Sequence, residues 1–160
     1  MIGTQKIRPC LWFDSNAEDA VKHYGAAFGD STVSFIARYG KEGPGPEGAV
    51  MVIEFALAGQ QFMAINGGPM FTPNEAVSLV VECADQAEVD RLWDRLGKGG
   101  KPSQCGWLKD RYGFSWQIVP HRFAEMMHDH DASRRGRVFA VMLRMTKFDI
   151  AALEKAYAGG

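Results

Sequence analysis

The sequence predicts an α+β fold in which one strand-helix-strands unit is used twice and a helical tail follows. Three observations predict it. Two helix starts of capping-box type, Ser15-Asn-Ala-Glu18 and Asp85-Gln-Ala-Glu88, lie seventy residues apart (85 − 15). Each follows one β-branched or aromatic run and precedes further strand-like runs. After Pro120 the apolar pattern changes from alternation to a helical period. A length of 160 residues suits one domain with a sizeable core, or two small modules sharing one.

The first unit opens with a strand over residues 7–13, with Pro9 inside it, which points to an edge, a bulge or an early position. Ser15 to Glu18 then starts a helix whose apolar stripe is Ala20, Val21, Tyr24, Ala27 and Phe28, until Gly29 stops it. Residues 32–39 read as a strand, and the Gly/Pro-rich stretch 40–46 as a loop. Residues 50–57 and 61–65, separated by Gly59, read as a hairpin.

Asn66-Gly-Gly-Pro69 and Thr72-Pro73-Asn74 link this unit to the next, which opens with a buried strand over residues 77–83. The second helix carries Val89, Leu92, Trp93 and Leu96 on its apolar face and ends over residues 97–102. Residues 104–120 then give two strands joined by the tight turn Asp110-Arg-Tyr-Gly113, the second strand covering 114–119. Alternation places Phe114, Trp116 and Ile118 on one face and Ser115, Gln117 and Val119 on the other. Gln117 among apolar neighbours is either a satisfied core amide or a polar handle in a pocket.

The tail carries three amphipathic stripes: Phe123, Met126 and Met127; Val138, Val141, Met142 and Met145; and Ile150, Leu153 and Tyr157. Breaks fall near Asp131 and Lys147. Core packing is the first reading of these methionines, and an adaptable contact surface the second.

A net charge of −1 gives no field that calls for nucleic acid or an anionic membrane, and no apolar run approaches a membrane span. Nothing resembles a signal peptide, so a cytoplasmic protein is expected. Three cysteines without C-x-x-C spacing suggest neither a disulfide framework nor a zinc site.

The candidates for chemistry each have a plainer role. His128-Asp129-His130 is the most metal-like cluster, but alternate residues on a helix diverge, so a solvated helix end fits better. His23 reads as a packing residue and His121 as the start of the first tail helix. Cys105 could be a nucleophile but reads first as a small buried hydrophobe. Glu54 is a carboxylate inside an apolar strand, with neither face excluded. No G-x-G-x-x-G that joins a strand to a helix, no phosphate-binding G-x-x-x-x-G-K and no H-E-x-x-H is present; the glycine-rich stretch 40–48 is proline-interrupted and leads into a strand, so it lacks the helix N-terminus that would bind phosphate.

Several segments together resemble the PhnB-like family of the vicinal oxygen chelate superfamily, whose members share the glyoxalase and dioxygenase fold. They are Ile7-Arg-Pro-Cys-Leu-Trp-Phe-Asp-Ser-Asn-Ala-Glu18, Glu54-Phe, Gln61-Phe-Met-Ala, Asn66-Gly-Gly-Pro69, Ser78-Leu-Val-Val-Glu-Cys83, Cys105-Gly-Trp-Leu-Lys-Asp110 and Ser115-Trp-Gln-Ile-Val-Pro120. The resemblance implies two βαβββ modules, over about 5–66 and 75–120, that pair into a half-open eight-stranded cup within a domain of residues 1–120; residues 121–160 form the helical extension.

Metal-using members of the superfamily carry His and Glu ligands on inward strand positions. Gap-free matching puts those positions at about Pro9, Ala64, Ser78 and Gln117, a set that does not suit a divalent metal, so neither metal nor cofactor is expected. The expected function is metal-free binding of a small molecule in an apolar cup by a homodimer. Gln117 and Ser78 would bond the ligand, and Trp107 or Trp12 could supply flat walls; Trp116 is assigned to the core. The alternatives are a metal-dependent lyase, isomerase or dioxygenase, or the family-labelled 3-demethylubiquinone 3-methyltransferase, for which no methyl-donor site is visible. A purely structural or partner-binding dimer is a third.

Overall fold

The structure is a computed structural model that describes residues 5–160. The chain divides into two compact units, residues 1–73 and 74–160.

The first unit contains β1 (Cys10–Phe13), α1 (Ala17–Phe28), β2 (Ser31–Arg38), β3 (Val50–Leu57) and β4 (Gln60–Asn66). Its sheet has the order β1-β4-β3-β2, with β1 parallel to β4 and the other pairs antiparallel. Proline has no N–H for the ladder, so Pro9 stands just outside β1, its carbonyl accepting from Met63 N at 2.9 Å. Leu57 and Gln60 close a hairpin through Ala58 and Gly59, both at positive φ (46° and 80°), the backbone that a two-residue turn between twisted strands requires. Alternation puts Leu11, Phe13, Ile53, Phe55, Phe62 and Ala64 on the buried face of the sheet, which α1 covers with Ala17, Ala20, Val21, Tyr24 and Ala27.

The start of α1 differs from the capping box expected at Ser15. Asn16 stands at the cap without a side-chain bond, and the free Ala17 N–H goes instead to Asn66 Oδ1 at 2.9 Å. Asn66 is 9% exposed and its amide also donates to Val50 O at 2.9 Å. One side chain from the end of β4 thus satisfies a helix donor and a strand carbonyl, a tertiary cap that local sequence does not announce.

The second unit contains β5 (Ser78–Cys83), α2 (Gln86–Gly97), β6 (Lys101–Pro102), β7 (Trp107–Lys109), β8 (Ser115–Pro120), α3 (His121–Met127), α4 (Ala132–Met142) and α5 (Ile150–Ala158). Its sheet repeats the first, in the order β5-β8-β7-β6 with β5 parallel to β8. The second capping box forms: Asp85 accepts from Glu88 N at 2.9 Å, and the Glu88 carboxylate reaches back to Ala84 N at 2.8 Å.

Two expectations change here. Strand β5 is not buried on both faces: Cys83 is buried, whereas Val80 is 59% exposed. It is an edge strand of a sheet that α2 covers on one side, so alternate residues face outward. Strand β8 begins at Ser115 because Phe114 belongs to the turn, its carbonyl accepting from Asp110 N at 2.9 Å. The two-residue β6 is too short to show alternation and was not anticipated.

The tail forms the three expected helices and packs within the second unit. Asp131 caps α4 and Asp149 caps α5. Cys105 N donates to Met145 O at 2.7 Å and Gly106 N to Thr146 O at 2.8 Å, which fastens the α4–α5 connection to the loop before β7. The Gln86 side chain adds a second fastening, donating to Phe148 O at 3.0 Å and accepting from Ile150 N at 2.9 Å. Met126, Val138, Met142 and Leu153 are buried, so part of each stripe packs as core, with Phe148 buried beside them.

Candidate functional site: the open face of the second sheet

In β8, Trp116 and Ile118 are buried at 2% and 0%, and with Leu108 of β7 they face α2. Their alternates Ser115, Gln117 and Val119 therefore take the opposite face, as the sequence predicts. Strand register then arranges that face in rows. Ser78, Ser115 and Lys109 are direct partners across β5, β8 and β7; Val80, Gln117 and Trp107 form the adjacent row.

The register thus brings Ser78, Gln117 and Trp107 together. Gln117 Nε2 donates to Ser78 Oγ at 2.9 Å, which satisfies part of the amide and leaves the serine hydroxyl proton available. Trp107 is half-buried beside Gln117, and Val80 is exposed on its other side. Two members of the first row were not singled out from sequence. Lys109 forms an ion pair with Glu75, whose carboxyl it holds below the usual carboxylate range. Ser115 is 3% exposed and its hydroxyl has no hydrogen-bond partner among the described residues. The alternation that gave Gln117 also gives Ser115 and Lys109, but their positions beside Ser78 depend on strand register.

The other two candidates lie elsewhere. Ala64 is fully buried on the face covered by α1, and Pro9 precedes β1 in phase with buried Leu11 and Phe13. Neighbouring strand positions point to opposite faces, so both residues share the phase of the helix-covered core. Residues on the opposite phase of the first sheet include Cys10, partnered with Met63, and Glu54, also partnered with Met63. Glu54 binds Arg8 at 2.6 Å, a pair that raises the arginine pKa. Trp12 is half-buried, with Nε1 bonded to Gly68 O at 2.9 Å and its ring edge-on to Phe71.

The remaining chemical candidates keep structural surroundings. His128 is exposed at the end of α3, Nδ1 lying 2.7 Å from Ala124 O. Burial pushes the Cys83 thiol up to about 12, unsuited to a thiolate nucleophile. Cys105 is half-buried at φ 57° and serves the tail fastening through its backbone. Among the described residues no group of three or more His, Cys, Asp or Glu side chains is placed to hold a metal ion. The Ser78 and Gln117 oxygens are poor donors for a divalent transition metal, and Glu54 is committed to Arg8, so these residues do not fit the metal that the superfamily's enzymes use.

A cavity of about 390 Å³ lies in the first unit, lined by Asp14, Glu18, Arg38, Tyr39, Asn66 and Gly67 among others. It contains none of the predicted contact residues. Its charges have both signs, and no unpartnered buried side-chain atom found among the described residues lines it.

Two mixed four-stranded sheets, each of βαβββ order, define a protein of the glyoxalase and dioxygenase fold. Within that class the chain belongs to the PhnB-like family: residues 5–119 match the profile of the family described as 3-demethylubiquinone-9 3-methyltransferase. It is similar to the PhnB protein of Bacillus cereus, at 37% identity and a TM-score of 0.67, over 72% of this chain and 99% of that one. A Pseudomonas aeruginosa protein shares 22% identity at a TM-score of 0.62, over 73% of this chain and 98% of that one. A genomically encoded fosfomycin resistance protein of Listeria monocytogenes, solved with Mn(II) and sulfate, shares 13% identity at a TM-score of 0.51, over 72% of this chain and 90% of that one. These last two likenesses show the fold alone. No curated protein matches the chain. Among the described residues no helix is long and apolar enough to cross a membrane.

Proposed function

We propose that the chain binds a small molecule on the open face of its second sheet, using its own side chains rather than a metal ion. The observation that carries this reading is the Gln117–Ser78 bond of 2.9 Å on a face that also presents Val80 and Trp107. A fixed amide and hydroxyl beside apolar surface can orient a ligand, while the flat indole contributes area. Replacing Gln117 by Leu is expected to leave the unfolding free energy within about 0.5 kcal/mol of the parent, as for a partly exposed site. It should also remove small-molecule species retained in native mass spectra of the purified protein. Retention of the same species by the variant would refute the contact.

Methyl transfer, the activity in the family's description, finds no support in the sheet order: neither four-stranded mixed sheet is the doubly wound parallel sheet that usually presents a methyl donor. Calorimetry with S-adenosylmethionine is expected to show no binding.

We also propose a homodimer in the cytoplasm. Val33, Phe35 and Ile36 of the edge strand β2 are 53%, 54% and 43% exposed, an apolar run that a second copy would cover. Sedimentation is expected to give a dimer for the parent chain and a monomer for Phe35→Glu. A monomeric parent overturns the assignment. The three free cysteines suit a reducing compartment.

A further inference from the structure

The row Ser78–Ser115–Lys109 contains more polar capacity than the fold uses. Its members are consecutive register partners on one face, where side chains directly opposite stand about 5 Å apart at Cβ. Ser78 accepts from Gln117 and retains a hydroxyl proton to donate. The Ser115 hydroxyl makes no hydrogen bond among the described residues although it is 3% exposed. A buried hydroxyl without a partner bears a desolvation cost that nothing offsets, so a ligand acceptor there would recover an existing deficit.

Lys109 supplies positive charge at the other end of the row, and it already holds a carboxylate, that of Glu75. Glu75 lies before β5 with its side chain 64% exposed, whereas that of Lys109 is 34% exposed. An exposed ion pair of this kind is screened by solvent, contributes little and exchanges readily for an equivalent partner. The protein's own carboxylate therefore indicates what Lys109 accepts, and the least fixed group in the row is the one in its place.

We infer that the row Ser78–Ser115–Lys109 is an oxyanion subsite that takes the carboxylate of a small planar or apolar acid, with Glu75 as an intramolecular competitor. This rests on the binding reading above and narrows its ligand to organic acids. The two serine hydroxyls donate to the ligand oxygens, and Lys109 transfers from Glu75 to the ligand. Val80 and Trp107 in the next row lie against its apolar part.

The test is an amide NMR titration of the full chain with sodium benzoate, with neutral benzamide of the same shape as the control. Benzoate is expected to shift the amides of residues 78, 109 and 115 and to bind at least fivefold more tightly than benzamide. Glu75→Gln should tighten benzoate binding about threefold. Ser115→Ala should weaken it about fivefold, the value of one hydrogen bond of ordinary strength. Lys109→Met should abolish the preference for benzoate over benzamide. Equal binding of both probes at these residues overturns the oxyanion assignment but leaves a small-molecule face intact. Silence from both probes also overturns it, and the species retained in native mass spectra then decide the broader reading separately. Benzoate binding that is insensitive to both Glu75→Gln and Ser115→Ala overturns it as well.

Discussion

Replacing Asp110 by Ala is expected to destabilise the protein by about 3 kcal/mol, the combined cost of leaving several buried donors unsatisfied. Asp110 is 3% exposed, and its carboxylate accepts from Tyr112 N at 2.8 Å, Phe114 N at 3.0 Å and Trp116 Nε1 at 2.8 Å. Two of those donors shape the turn between β7 and β8, and the third fixes Trp116, the largest fully buried side chain among the described residues. Truncation would leave three N–H groups competing for whatever water can enter. Asp110→Asn keeps the shape and one acceptor oxygen, so its cost should be smaller, about 1–2 kcal/mol. With a urea slope of about 2 kcal/mol/M, the two variants should unfold at midpoints lowered by about 1.5 M and 0.5–1 M. Equal midpoints for the alanine variant and the parent would show that the carboxylate does not organise the turn. Because β8 carries Ser115 and Gln117 five and seven residues on, the same variant should also blur the row geometry on the open face.

The fold was legible where a local signal and a tertiary demand agree. Asp85-Gln-Ala-Glu88 announces a capping box and makes one. Trp116 and Ile118 announce a core face by alternation and occupy one. Legibility failed where a distant partner intervenes. The donor at the start of α1 goes to Asn66 rather than Ser15, and nothing near Ser15 reports that. The candidate site divided in the same way. Gln117 and Ser78 emerge from motif and alternation together, and the structure bonds them. Pro9 and Ala64 came from matching positions across strands without gaps, where a single-residue error exchanges the open face for the helix-covered one. Ser115 and Lys109 carry no motif of their own, and their interest arises from register, burial and an unsatisfied hydroxyl, none of which one strand's letters contain.

Gly106→Ala should be strongly damaging to the second unit. Gly106 has φ 79°, a left-handed backbone that costs an alanine about 1 kcal/mol, and an added Cβ would lie 2.4 Å from the ring of Phe148 and 2.9 Å from Ile118 O. The ring cannot yield cheaply, because Phe148 is 2% exposed and packs on Phe123 at 4.9 Å between centroids. The Ile118 carbonyl cannot yield either without disturbing β8 itself. Strain and overpacking together should cost about 3 kcal/mol, and the easiest relief is to release the connection between α4 and α5 from its bonds to Cys105 and Gly106. The expected signature is therefore twofold: a lowered urea midpoint, and protease cutting within residues 143–149 that the parent resists. Gly136→Ala separates this from a general sensitivity to added methyl groups. Gly136 lies inside α4 with nothing within 4 Å of the added carbon, so its replacement should stabilise by about 1 kcal/mol through helix propensity alone. If Gly106→Ala unfolds like the parent and its 143–149 segment stays protected, the loop before β7 is not what holds the tail. Docking would then rest on the Gln86 bonds to Phe148 and Ile150.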